Sequence, residues 1–181
     1  MRSFETLETE RLILRKLSPD DIKYLFANFD QPYLMTFFGL ETEEEFEIEK
    51  SRNEGGYTTH NRSICMFQLI EKSKREVIGS CSYHNWYTIH KRSEIGYHMR
   101  NDSYKNKGYM KEALGAIIQY GFNVLNLNRI EAFVGTNNTP SLRLMQHYKF
   151  TREGVLKQHF YINNKFEDSA VFALFKADCE A

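Results

Sequence analysis

The sequence predicts a mixed α+β domain built on a largely antiparallel sheet, and three observations carry the prediction. Strand-like segments at Ile64 to Glu71, Glu76 to His84 and Ser93 to Met99 follow one another across short polar connections, the pattern of an antiparallel meander. The hydrophobic period then turns helical from Gly108 to Leu125. Beyond that helix, strand and helix patterns alternate to the end of the chain.

Taken in order, Thr9 to Leu17 alternates as a strand, with Leu12, Leu14 and Lys16 on one face and Arg11, Ile13 and Arg15 on the other. Ser18-Pro19-Asp20-Asp21 opens a helix: the serine caps free N–H groups, proline suits the first turn, and the carboxylates meet the positive end of the dipole. Ile22, Leu25, Phe26 and Phe29 form its buried stripe. Gln31 to Glu41 is read as an aromatic loop. A second helix starts at Thr42, paired with Glu45 as a capping box, and stops at Gly55-Gly56. After the meander, Met110, Leu114, Ile117, Ile118, Gly121 and Leu125 line one side of the long helix. Arg129 to Thr136 returns to strand, Thr139 to Tyr148 is a short helix, and Phe150 to Phe160 and Ala170 to Phe175 are final strands.

The 181 residues suit a single domain, 1–181, able to bury roughly 70% of the unfolded chain's surface. Twenty-four basic residues balance twenty-four acidic ones, so net charge points to no nucleic-acid or anionic-membrane partner. Cys65, Cys81 and Cys179 are odd in number and widely spaced, which fits neither a disulfide scaffold nor a zinc site; reduced thiols in the cytoplasm and no metal are expected. The N-terminus lacks the apolar core of an export signal, and no uncharged run approaches the ~20 residues of a membrane span.

The segment that carries chemistry runs from Ser93 to Met99, through Arg100 to Asn106, into Lys107-Gly-Tyr-Met-Lys-Glu-Ala-Leu114. It is strand, loop and helix start, a geometry that offers unpaired N–H groups to a phosphate or pyrophosphate, with Lys105 and Lys107 adding charge. The same residues also fit an ordinary connection. Neither a GxxxxGK[ST] loop nor a GxGxxG fingerprint is present, which disfavours the common nucleotide-binding folds. Downstream, Arg129 to Met145 gives a second strand that ends in polar residues and opens a second helix.

From ETERLILRKLSPDD through EIGYHM and KNKGYMKEAL to NNTPSLRLMQHYKF, the order and spacing of these segments resemble the GCN5-related N-acetyltransferases (GNAT), closest to the branch with the ribosomal-protein N-terminal acetyltransferases. The resemblance implies the GNAT fold: a central, splayed, largely antiparallel sheet of about seven strands with helices on both faces. It also implies acetyl-CoA as acetyl donor and a primary amine as acceptor, and it leaves the oligomeric state open, a homodimer being common among related enzymes. By the same carry-over, Lys105, Asn106, Lys107, Gly108, Tyr109 and Met110 hold the coenzyme pyrophosphate through backbone N–H groups. Tyr97, His98 and Met99 pair with the pantetheine amides, and Asn138 and Ser141 lie near the coenzyme and its thioester sulfur. Lys105 stands where the branch often has tryptophan, Asn106 and Met110 where glycine or alanine is frequent, and Lys149 where glycine usually precedes Phe150.

An amine attacking a thioester needs a neutral nucleophile, a stabilised oxyanion and a proton for the departing thiolate. The position aligned with the family's acid tyrosine is Met145, which cannot donate a proton, so Ser141 is the acid candidate; its place three residues after Asn138 equally fits a helix cap. Glu94 leads the general-base candidates, with His98, Glu131 and Glu167 behind it; alternation sets Glu94 and His98 on one strand face and Ile95, Tyr97 and Met99 on the other. At pH 7 an α-amino group of pKa about 7.7 is roughly one-sixth neutral, and a lysine of pKa about 10.4 roughly once in 2,500, a gap of about 4 kcal/mol. Weak base machinery therefore favours an α-amine, a peptide or protein N-terminus, over lysine. The alternatives are a small amine such as a polyamine, amino acid or antibiotic, or a coenzyme-binding module without turnover. The glutamates at 41, 43, 44, 45, 47 and 49 either attract a cationic amine or form a solvated helix face.

Overall fold

A computed structural model describes residues 2–56 and 63–179. Its centre is an eight-stranded sheet in the order β1-β2-β3-β4-β5-β6-β8-β7. The strands are β1 (Thr6–Glu8), β2 (Leu12–Leu17), β3 (Ser63–Glu71), β4 (Glu76–Tyr87), β5 (Arg92–Met99), β6 (Arg129–Gly135), β7 (Thr151–Ile162) and β8 (Lys165–Phe175). The helices are α1 (Pro19–Asn28), α2 (Gln31–Phe38), α3 (Glu43–Gly55), α4 (Tyr109–Asn123), α5 (Thr139–His147) and the short α6 (Lys176–Cys179). The sheet has one strand more than expected, because Thr6–Glu8 folds back on β2.

Strand alternation divides the molecule into two layers. Leu12 and Leu14 of β2, Cys65, Phe67 and Leu69 of β3, and Cys81 and Tyr83 of β4 face α4 and α5, where Leu114, Ile117 and Met145 complete the larger core. Leu17 and Met66 face the other way, onto Ile22 and Leu25 of α1, Phe37 and Phe38 of α2, and Phe46 of α3. The expected Thr42–Glu45 capping box forms, and the expected Ser18 cap forms with Asp21 completing a second box. The segment read as a loop after Gln31 is instead helix α2: Asp30 caps it, Pro32 sits in its first turn, and Gly39 ends it at φ 70°. The buried Cys65 and Cys81 thiols are unbonded and pushed up in pKa by desolvation. Among the described residues no helix is long and apolar enough to cross a membrane.

Every neighbouring pair of strands is antiparallel except β5 and β6. Those two run parallel, and only Arg92, Ser93 and Glu94 pair, with Arg129, Ile130 and Glu131. From Ile95 to Met99 β5 keeps its partner β4 and has none in β6. The sheet therefore opens into a V with its apex at Glu94, and one backbone edge of β5 is left for something else to pair with.

Candidate active site

One side of the V leads to the start of α4. Asn106 and Gly108 take left-handed backbone conformations, φ 58° and 80°. Asparagine tolerates that region nearly as glycine does, so the loop keeps its shape without the glycine the family prefers there. The helices α1, α2, α3 and α5 each have a side chain capping their first N–H groups, whereas α4, with Gly108 as its cap residue, has none. Its first turn thus offers free donors at the positive end of a helix dipole. Arg11 braces the loop by donating to the Lys107 carbonyl at 2.9 Å and pairing with Glu112 at 2.7 Å.

A cleft of about 500 Å³ runs from that helix start along the V. It brings together ten of the eleven positions implied for the coenzyme: Tyr97, His98, Met99, Lys105, Asn106, Gly108, Tyr109, Met110, Asn138 and Ser141 line it. Lys107 is tied back to Arg11 through its carbonyl and does not line the cleft. The uncapped helix start, the two left-handed residues and the open edge of β5 together fit a long thioester-bearing coenzyme with an anionic end.

The two readings of Ser141 are separated by α5. Asn138 is the cap, its side-chain oxygen accepting the Ser141 N–H at 3.2 Å, so the serine hydroxyl is not the cap group. Met145 lies fully buried behind it. The Tyr97 hydroxyl oxygen is buried without a hydrogen-bond partner among the described residues. Desolvation raises the Tyr97 pKa, and the nearby Ser141 side chain opposes that rise.

The other side of the sheet holds a second cleft, of about 430 Å³, between α3 and the β3–β5 strands, lined by Glu45, Glu49, Arg52, Gln68, Ser80, His98 and Arg100 among others. His98 lines both clefts. Desolvation, with the charges of Arg52 and Arg100 behind it, pushes its pKa below the ordinary histidine value. Glu49 pairs with Arg52 at 3.1 Å, and Arg100 bridges Glu41 and Glu45 at 3.3 Å each. Glu43, Glu44 and Glu47 are exposed on the outer face of α3.

Glu94 lines neither cleft but sits at the apex of the V, on the strand face shared with His98. It is directly opposite His84 in the β4–β5 register, and His84 Nε2 lies 3.1 Å from its carboxylate, with Asn85 donating to the other oxygen at 3.0 Å. Desolvation works to raise the Glu94 pKa, but the His84 and Asn85 contacts prevail and hold it below the usual carboxylate range. The ring of His84 lies over Gly96, where a Cβ would come within 2.7 Å of Cε1. His84 was not foreseen from sequence, because only the strand register reveals that it faces Glu94. Glu131, the other apex carboxylate, is occupied by Arg92 and Arg129, and Glu167 lies beside Gly135 at the far end of β6.

The comparisons agree with this geometry. Residues 11–151 match the family described as an acetyltransferase (GNAT) domain. The chain is 34% identical over 175 residues to an uncharacterized N-acetyltransferase, YoaA of Bacillus subtilis (strain 168), covering 96% of this chain and 98% of the relative. It is 24% identical to the spermidine N(1)-acetyltransferase of Vibrio cholerae, covering 87% and 89%. The crystal structure of a ribosomal-protein-S5-alanine acetyltransferase from Vibrio fischeri shares the fold at TM-score 0.70 and 22% identity, covering 96% and 98%. With an uncapped helix start beside a splayed pair of parallel strands, and with the family match spanning most of its length, this chain belongs to the GNAT acetyltransferases.

Proposed function

We propose that this acetyltransferase acts on the α-amino group of a peptide or protein N-terminus. The observation that carries the reading is the charge pairing in the cleft beneath α3. The two carboxylates that line it, Glu45 and Glu49, are matched in number by Arg100 and Arg52, so its described lining holds no surplus negative charge to attract a polycation such as spermidine. A chain terminus brings one amine followed by amide groups, and the Ser80 hydroxyl and His98 ring, 3.1 Å apart on the cleft wall, present hydrogen-bonding groups toward those amides.

Acetyl-CoA supplies the activated acetyl thioester. The start of α4 receives its pyrophosphate on free N–H groups, the open edge of β5 at Tyr97 to Met99 pairs with the pantetheine amides, and Asn138 lines the same cleft. A backbone N–H of that edge polarises the thioester carbonyl. His84, oriented by Glu94 at the apex, takes the proton that the attacking nitrogen must lose. Ser141 gives the departing sulfur its proton.

The test is thiol release from acetyl-CoA with three acceptors: peptides with a free N-terminus and no lysine, N-terminally blocked peptides with one lysine, and spermidine. The expected order of kcat/KM places the free N-terminus first, and Glu94→Gln lowers kcat on it by about 100-fold with little change in coenzyme affinity. Preference for spermidine or lysine would overturn the assignment.

A further inference from the structure

Tyr97 reaches the coenzyme cleft from β5, and Ser141 reaches it from α5. The tyrosine hydroxyl is buried and partnerless among the described residues, an arrangement that costs stability unless something completes it. Ser141 lines the same cleft, and its hydroxyl is left over from capping because Asn138 holds the helix start. Serine alone is a poor acid toward sulfur, since an alkoxide is far more basic than a thiolate whose ordinary pKa is about 8.5. A phenol, with an ordinary pKa of about 10, is a far stronger acid than an alcohol and stays so when burial raises it, as it does at Tyr97. We propose that Tyr97 and Ser141 form a proton relay to the leaving group, an inference that rests on the acetyl-transfer reading above.

The step balances. As the C–S bond breaks, sulfur keeps its electron pair and takes the Ser141 proton, while Ser141 takes the Tyr97 proton in the same motion. Tyr97 regains a proton from solvent, matched by the one that the acceptor nitrogen releases through His84. Burial keeps Tyr97 protonated and ready between turnovers. The arrangement also gives a reason why Met145 can replace the family's tyrosine on α5: the phenol comes from β5 instead.

Two measurements test the relay. In the coenzyme-free protein carrying ¹³Cζ-labelled tyrosine, the Tyr97 resonance, assigned by its loss in Tyr97→Phe, shifts in Ser141→Ala; no shift means that the hydroxyls are not coupled and overturns the proposal. In kinetics, Tyr97→Phe and Ser141→Ala each lower kcat about 100-fold while coenzyme affinity holds within about twofold, and the double variant is no slower than the slower single. A Tyr97→Phe kcat within about twofold of wild type, or single losses that multiply, would refute it. The same variants are compared in acceptor-free hydrolysis of acetyl-CoA, where the leaving thiol is unchanged. If wild type acetylates no α-amine, the acceptor assignment fails, and equal hydrolysis rates of wild type and Tyr97→Phe decide against the relay independently.

Discussion

Gly96→Ala separates chemistry from stability in this protein. The new Cβ would stand 2.7 Å from Cε1 of His84, so the ring must retreat by about 1 Å to reach ordinary contact near 3.5–4.0 Å. The ring has room to go, since the His84 side chain is 36% exposed. That retreat breaks the 3.1 Å contact with Glu94. The stability terms nearly cancel: a partly exposed ion pair contributes about 0–1 kcal/mol, and alanine is better than glycine in a strand by about 0.5–1 kcal/mol. A catalytic group displaced by about 1 Å costs on the order of 100-fold in rate. The assay is kcat for peptide acetylation beside a thermal melt. Gly79→Ala is the contrasting control: its Cβ would meet the backbone carbonyl of His98 at 2.5 Å, which cannot swing aside, so the sheet itself must shift at about 1–3 kcal/mol. A Gly96→Ala enzyme with an unchanged melt and a kcat within about threefold of wild type would refute the role given to the His84–Glu94 pair.

Two further outcomes follow from the structure. Lys149 sits at φ 57° just beyond α5, where a side chain is strained, and Lys149→Gly should stabilise the fold by about 1 kcal/mol, raising Tm by about 2–4 °C; an unchanged or lower Tm contradicts this. Glu112 accepts hydrogen bonds from Thr9 and from Arg11; although desolvation raises its pKa, these contacts prevail and hold it below its ordinary 4.5. Its contribution is therefore complete above that value and lost as pH falls through the depressed one, so the stability gap between wild type and Glu112→Gln should narrow on acidification from about pH 6 to about pH 3 in urea titrations; a constant gap would be inconsistent.

Features written locally in the chain were legible. The Ser18 and Thr42 capping boxes need only residues three apart, and the α4 stripe needs only its own period. Helix α2 escaped because QPYLMTFF is apolar nearly all round and shows no helical period, although Asp30 and Gly39 mark both of its ends. Strand β1 is three residues long and gains its identity only from β2. At the site, the family resemblance pointed to the loop before α4, and the geometry explains the departures there: Asn106 takes the left-handed turn that glycine would, and Asn138 frees Ser141 from capping. The His84–Glu94 pair and the meeting of Tyr97 and Ser141 in one cleft are products of register and of packing between distant elements, which no single segment encodes.

The most direct test of the account uses one peptide with both a free N-terminus and an internal lysine, incubated with enzyme and acetyl-CoA at neutral pH, with the acetyl group located by fragmentation mass spectrometry. Acetyl is expected on the terminal nitrogen and none on the lysine. Acetyl on the lysine, or an untouched peptide in a reaction where spermidine is acetylated, would contradict it.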